Sequence, residues 1–161
     1  MKTSWKPSVT VAAVIEKDGR FLLVEEETND GLKLNTPDGH LDPAESPEQG
    51  CAREALEESA YEFRPTALLG IYIARSTKKS TGEDQTYVRF AFCGELGRHH
   101  PQRALDKGIV RTLWMTFEEV RESAWRHRSP LVLKCIEDYV AGVRHPLSVV
   151  YTHPNVLEPL R

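Results

Sequence analysis

Residues 39–63, GHLDPAESPEQGCAREALEESAYEF, constrain this chain more than any other stretch. They hold seven acidic residues, and three of these, Glu54, Glu57 and Glu58, fall within five positions beside Arg53. Two like charges ~4 Å apart repel by about 4 kcal/mol at an effective dielectric near 20. A chain that crowds carboxylates in this way needs something to offset the repulsion. The local signals specify a helix. Ser46 is a good N-cap, Pro47 suits the first helical position, and Gln49 completes an S-x-x-Q capping box. The pattern predicts a helix over 47–60.

On that helix Glu54, Glu57 and Glu58 share one face, since they are spaced i, i+3, i+4. Ala52, Leu56 and Ala60 lie on the opposite face with Ala55 at its flank, and such small residues permit close docking. Arg53 stands one turn before Glu57 and can pair with it. Glu45, just ahead of the helix, can also reach Arg53. The plain alternative is a solvated charged face with an ordinary i,i+4 pair. Against it, Gly39 sits between Pro37 and Pro43 in a loop able to hold backbone carbonyls near the acids. Three oxygen ligands on one face suit a hard divalent cation such as magnesium, which would offset the repulsion and keep the carboxylates ionised.

A length of 161 residues predicts one domain over 1–161, large enough for a core without staples. The net charge of -3 gives no general attraction to nucleic acid or an anionic membrane. Cys51, Cys93 and Cys135 are odd in number and widely spaced, which excludes a disulfide framework or zinc ribbon and points to a reduced, cytoplasmic setting. The first apolar run, VTVAAVI, is too short to cross a membrane, and the segment after it lacks a signal-peptide cleavage pattern.

Along the chain, SVTVAAVIEKDGRFLLVEEE reads as two strands joined by a turn. TNDGLKLNTPDG reads as a polar loop broken by Gly31, Pro37 and Gly39. After the acidic helix, ALLGIYIAR and TYVRFAFCGEL read as strands around a hairpin loop, STKKSTGEDQ, and IVRTLWMT as another strand. A second capping box, Thr116 and Glu119, opens a helix at TFEEVRESA. A last helix starts near Ser129-Pro130 and stops at Gly142, and the proline-punctuated tail reads as an arm. Irregular interleaving of strands and helices gives an α/β or α+β class with a mixed sheet.

These residues resemble a known family. The Nudix signature runs G, five residues, E, seven residues, R-E-U-x-E-E-x-G-U, where U is bulky and apolar. Gly39, Glu45, Arg53, Glu54, Glu57 and Glu58 match it in register, a coincidence on the order of 10⁻⁷ at average residue frequencies. Ala60 stands where the family has glycine, Ala55 is small for its slot, and Asp38 replaces a small residue. If position 60 needs a left-handed backbone, alanine costs about 1 kcal/mol there; otherwise the helix continues half a turn further. Segments beyond the box, including KPSVTVA, YVRFAFCGEL and RSPLVLKCIEDY, are similar to a bacterial subgroup of NudJ-type phosphatases, also described as thiamine pyrimidine pyrophosphate hydrolases.

The resemblance implies a Nudix fold, a mixed β-sheet sandwiched between α-helices. It implies hydrolysis of a small-molecule diphosphate by a monomer, with magnesium, or alternatively manganese, as cofactor. It implies metal ligation by Glu57, Glu58, Glu54 and the carbonyl of Gly39. Arg53 would orient Glu57, and Glu45 would hold Arg53. Glu54 is the first candidate for the general base, with Asp106, Glu83 or Asp84 as rivals from loops. For substrate, Trp5, Tyr87 and Phe90 are candidate stacking surfaces and Arg89 a candidate phosphate contact, against a competing reading of each as strand packing or exposed surface. His40 follows Gly39 and would lie near the metal. His99 and His100 read as surface loop, and Trp114 as packing. Hydrolysis of ADP-ribose or a damaged nucleotide, and a regulator that binds nucleotide without catalysis, are the alternative functions.

Overall fold

The computed structural model describes residues 2–161 and builds two four-stranded sheets flanked by helices. The strands are β1 (Ser8–Val14), β2 (Glu16–Lys17), β3 (Arg20–Thr28), β4 (Gly31–Asn35), β5 (Asp38–His40), β6 (Tyr61–Thr77), β7 (Asp84–His99) and β8 (Ile109–Thr116). The helices are α1 (Pro47–Ser59), α2 (Phe117–Glu122) and α3 (Leu131–Val140), with 3-10 turns at Ala124–Arg126, Leu147–Val149 and Pro154–Leu157. One sheet runs β5-β1-β7-β6 and is mixed: β1 is parallel to β7, and the other pairs are antiparallel. In the second, β3 carries β2 and β4 on one edge and β8 on the other.

Strand β1 shows why helices must cover both faces. Successive side chains of a strand point to opposite sides. Val11, Ala13 and Ile15 pack with Leu22, Phe92 and the Cys51 and Ala55 side chains of α1. Ala12 and Val14 pack the other way, with Val120 of α2 and Val132, Cys135 and Ile136 of α3. A strand buried on both faces must read as a continuous apolar run, and VTVAAVI does. The result is the expected α/β/α layering.

Four expectations need correction. The segment read as a polar loop contains β4 and β5. Leu32 to Asn35 pair with β3 across a turn closed by Gly31 at φ 95°, and Asp38 to His40 pair with β1. The β6–β7 hairpin is longer than expected, reaching Thr77 and Asp84, so its loop shrinks to 78–83. Pro65 is tolerated inside β6 because the register slips between Pro65 and Ala67 on this edge strand. Helix α1 does not run on: Ala60 ends it in the left-handed region at φ 61°, where its amide still bonds Leu56 O at 2.9 Å. Finally, the buried face of α1 is Cys51, Ala55 and Ser59 together with Glu54 and Glu58, whereas Ala52 and Leu56 are only half-buried. The acidic face is turned into the protein, because β5 and the loop before β8 cover it.

Candidate metal centre and substrate cleft

Helix α1 forms where its caps say it should. Ser46 Oγ accepts from the Gln49 amide, and the Gln49 side chain accepts from the Ser46 amide, the reciprocal box expected. That start sets the phase of the helix and thereby the direction of Arg53. The Arg53 guanidinium is a hub. Nε and Nη2 grip the two oxygens of Glu45 at 2.9 and 2.8 Å. Nη1 donates to Glu54 at 2.8 Å and to Glu57 at 3.0 Å, and Nη2 donates to the His40 carbonyl at 2.9 Å. Asp42 stands 3.4 Å away. Hydrogen bonding to Glu45 is the largest influence holding the guanidinium above its ordinary pKa. Burial pushes Glu45 up, but the bonds from Arg53 and the Asp42 amide outweigh it and leave this carboxyl below its ordinary value.

Around this hub, ligand atoms of Glu54, Glu57 and Asp106 lie within 4.8 Å of one another. Asp106 arrives from a loop docked on the end of α1: its amide donates to Glu57 O at 3.0 Å, and the His100 amide donates to Ala60 O at 2.8 Å. Of the three loop carboxylates considered from sequence, only this one reaches the acids of α1. Glu83 and Asp84 sit in the β6–β7 hairpin, bonded to Lys78 and Thr77. Glu58 Oε1 accepts from the Asp38 amide at 2.9 Å. Gly39 stands against Glu54, where a Cβ would lie 2.0 Å from the carboxylate carbon, so only bare backbone fits.

Burial pushes the Glu54 carboxyl up to about 7 despite Arg53, helped by the charges of Glu57 and Asp106. Burial, then the Asp38 charge, pushes Glu58 up to about 9. Glu26 and Asp38 are also raised, in both cases chiefly by burial. Arg53 alone does not neutralise Glu45, Glu54 and Glu57, the three carboxylates it bonds. Hard oxygen donors with uncompensated charge beside a bare glycine backbone fit a divalent cation of the magnesium class.

A cleft of about 1070 Å³ opens beside β5. Glu26, Asp38, Gly39 and Glu58 line its acidic side, while Arg75, Lys78, Lys79, Arg89 and Arg128 also face it. The size suits a small organic ligand, and the cations suit an anionic one. Tyr87 lies in this cleft 6.5 Å from the His40 ring. Arg89 lines it too but is 4% exposed, with Nη2 bonded to Asp38 at 2.8 Å. It is neither an exposed strand residue nor free for solvent. Trp5 is 74% exposed and outside the residues lining the cleft. Phe90 and Trp114 pack against the core on the α1 side. His99 stacks on Tyr61 and His100 meets Glu62, as surface residues do. Sequence reasoning missed Asn35, Glu26 and Arg128 as lining residues. The alternation of β3 was the available signal for Glu26, since it separates Glu26 from Glu25.

The NUDIX domain family is matched over residues 5–135. "Phosphatase NudJ" of Escherichia coli K12 is 34% identical over 146 residues, which cover 91% of this chain and 92% of that protein. The solved "NUDIX hydrolase from Nitrosomonas europaea" is 50% identical with a TM-score of 0.84, covering 92% of this chain and 98% of its own. The "MutT protein from Methanosarcina mazei Go1" shares the fold at 23% identity and a TM-score of 0.65, covering 87% of this chain and 98% of its own. No helix among the described residues is long and apolar enough to cross a membrane.

Proposed function

The chain belongs to the NUDIX domain family, and on that premise we propose that it is a magnesium-dependent phosphatase of nucleoside tri- and diphosphates and thiamine-type pyrophosphates. Its membership makes it a hydrolase of phosphoric anhydrides. The observation that carries the finer reading is the convergence of Glu54, Glu57 and Asp106 on one point beside a cation-lined cleft. In this reading the whole chain, 1–161, is one catalytic domain, a cytoplasmic monomer acting on a small-molecule diphosphate.

Glu54, Glu57, Asp106 and the Gly39 carbonyl would hold the cation, with Glu58 beside them. Bound there, magnesium or manganese would draw charge from the phosphate oxygens and ease attack at phosphorus. Arg53 fixes the rotamers of Glu54 and Glu57 through its two Nη1 bonds, and Glu45 fixes Arg53 through its bidentate grip. Glu54 takes the proton of the attacking water. Asp106, across the same group, is the other carboxylate placed to do so. Tyr87 offers a flat surface to the organic end of the substrate, and such stacking accepts any planar ring.

The relation to a phosphatase favours terminal cleavage, with inorganic phosphate released one unit at a time. Incubation with a nucleoside triphosphate and, separately, with hydroxymethylpyrimidine pyrophosphate or thiamine pyrophosphate tests this, with magnesium present and no added pyrophosphatase. Free phosphate and the chain-shortened product are expected from each. Pyrophosphate as the sole initial product of the triphosphate would overturn the phosphatase reading and leave the hydrolase intact.

A further inference from the structure

Strand β5 is three residues long, and each of the three touches the acidic face of α1. The Asp38 amide donates to Glu58 Oε1 at 2.9 Å. Gly39 leaves the space that the Glu54 carboxylate fills. The His40 carbonyl accepts from Arg53 Nη2 at 2.9 Å. The position of β5 therefore sets where two carboxylates and the arginine hub stand relative to one another.

β5 is a three-residue edge strand. Its ladder to β1 involves Thr10, Val11 and Ala12, flanked by bonds from the Ala13 amide to Pro37 O and from the Leu41 amide to Val9 O. A further hold comes through the Asp38 side chain. Oδ2 accepts from Arg89 Nη2 at 2.8 Å, and Oδ1 accepts from Asn35 Nδ2 at 2.8 Å. Arg89 Nη2 also reaches Asn35 Oδ1 at 3.3 Å. Arg89 belongs to β7 and Asn35 ends β4, so the three side chains tie β5 across β1 to β7 and to the second sheet. Arg89 Nη1 is buried without a hydrogen-bond partner, so the bonds of this guanidinium to carboxylate and amide oxygens all run through Nη2. A charge-assisted bond from a buried arginine is among the stronger tethers available to a short strand.

We propose that Asp38, Arg89 and Asn35 form a clamp that positions the carboxylates of α1 for the divalent cation, and that Arg89 acts as a positioning residue instead of a phosphate contact. The proposal rests on the metal-dependent reading above. It also gives a reason for an aspartate before Gly39, where the family pattern has a small residue.

Manganese is titrated calorimetrically into wild type, Arg89→Met, Asp38→Ala and the Asp38→Ala/Arg89→Met double variant, with kcat, KM and melting temperature measured beside it. Asp38→Ala alone leaves a buried arginine unpaired and is at risk of unfolding, whereas the double variant removes both charges. Loss of a partner that orients metal ligands costs about 10–100-fold in metal affinity or rate. The clamp predicts that loss in the folded double variant and in Arg89→Met, with KM at saturating manganese within about twofold of wild type. A KM raised about tenfold or more in Arg89→Met at unchanged manganese affinity would make Arg89 a substrate contact and overturn the proposal. So would a double variant that only melts earlier and binds manganese as wild type does. If wild type neither binds manganese nor hydrolyses a diphosphate, the hydrolase reading itself falls. An active, manganese-binding wild type beside unchanged variants overturns the clamp alone.

Discussion

Two arginine–carboxylate clusters in this molecule have opposite charge balances. On α1, one guanidinium, Arg53, serves Glu45, Glu54 and Glu57, with Asp42 and Asp106 close by. On β3, one carboxylate, Glu25, is held by two guanidiniums, Arg126 at 2.6 Å and Arg111 at 3.0 Å. The bond from Arg126 is the largest influence holding the Glu25 carboxyl below its ordinary value, while Glu54 is pushed up to about 7. Glu25 has all the positive charge it can use, and its bonds tie β3 to β8 and to the turn before α3. The α1 cluster is short of positive charge and adjoins a cleft through Gly39 and His40. An ion-pair network that satisfies itself builds structure, and one that does not is arranged to take up a cation.

The largest expected effect is at Glu57. Glu57→Gln should lower turnover by more than the ~10–100-fold typical of losing a ligand's supporting partner. Its melting temperature should hold, since removing one charge relieves repulsion in the metal-free cluster. Steady-state kinetics with magnesium alongside a thermal melt checks both. Arg53→Ala comes next. Misplacing reacting groups by about 1 Å can cost ~10²-fold in rate, and that rate loss should exceed the stability loss, as an i,i+4 pair alone contributes only ~0.3–0.5 kcal/mol. A variant that unfolds while its residual folded fraction keeps full activity would make this cluster structural too, and break the contrast.

Glu25→Gln should do the reverse. Losing a carboxylate that accepts charge-assisted bonds from two solvent-accessible arginines costs about 1.5–3 kcal/mol. At about 2–4 °C per kcal/mol the melting temperature should drop by roughly 3–12 °C. The kcat of the folded protein should stay within error of wild type, as measured at a temperature below both transitions.

The smallest effect is in pH. Glu54 and Glu58 are raised to about 7 and about 9 in the fold, so the metal-free native state binds more protons than the unfolded chain above the ordinary carboxylate range. Their contribution to stability is then fully present below pH 4.5 and is lost as pH rises through about 7 and about 9. Glu25, lowered, contributes the other way, with stability present above the ordinary carboxylate range and lost as pH falls through its folded value. Thermal melts in chelator from pH 5 to pH 9 should show declining stability, and added magnesium should stabilise more at the alkaline end. Stability that rises over that range without metal would contradict the uncompensated α1 cluster.

Much of the α1 cluster was legible because its information is local. Ser46, Pro47 and Gln49 fix the helix start, and helical geometry then fixes which acids share a face. What was not legible depends on pairings distant in sequence. β4 and β5 are too short to show periodicity, and they exist because β3 and β1 present unpaired edges to them. Arg89 meets Asp38 only because β7 lies parallel to β1 with Arg89 opposite Thr10, a register that no local pattern encodes. Glu25 sits in a run of three glutamates that closes a strand, and its partner Arg126 arrives from a turn more than a hundred residues later. Glu58 was placed with the other two acids by helical spacing and by the family resemblance, and its Oε1 accepts from the Asp38 amide. Asp106, which no local pattern marks, lies beside Glu54 and Glu57.

The contrast itself is tested most directly by calorimetric titration of manganese into wild type, Glu57→Gln and Glu25→Gln at one pH. Wild type and Glu25→Gln should bind the ion alike, and Glu57→Gln should bind it far more weakly or not at all. Equal binding by all three, or none by wild type, would contradict the assignment of the Arg53 cluster as the metal centre.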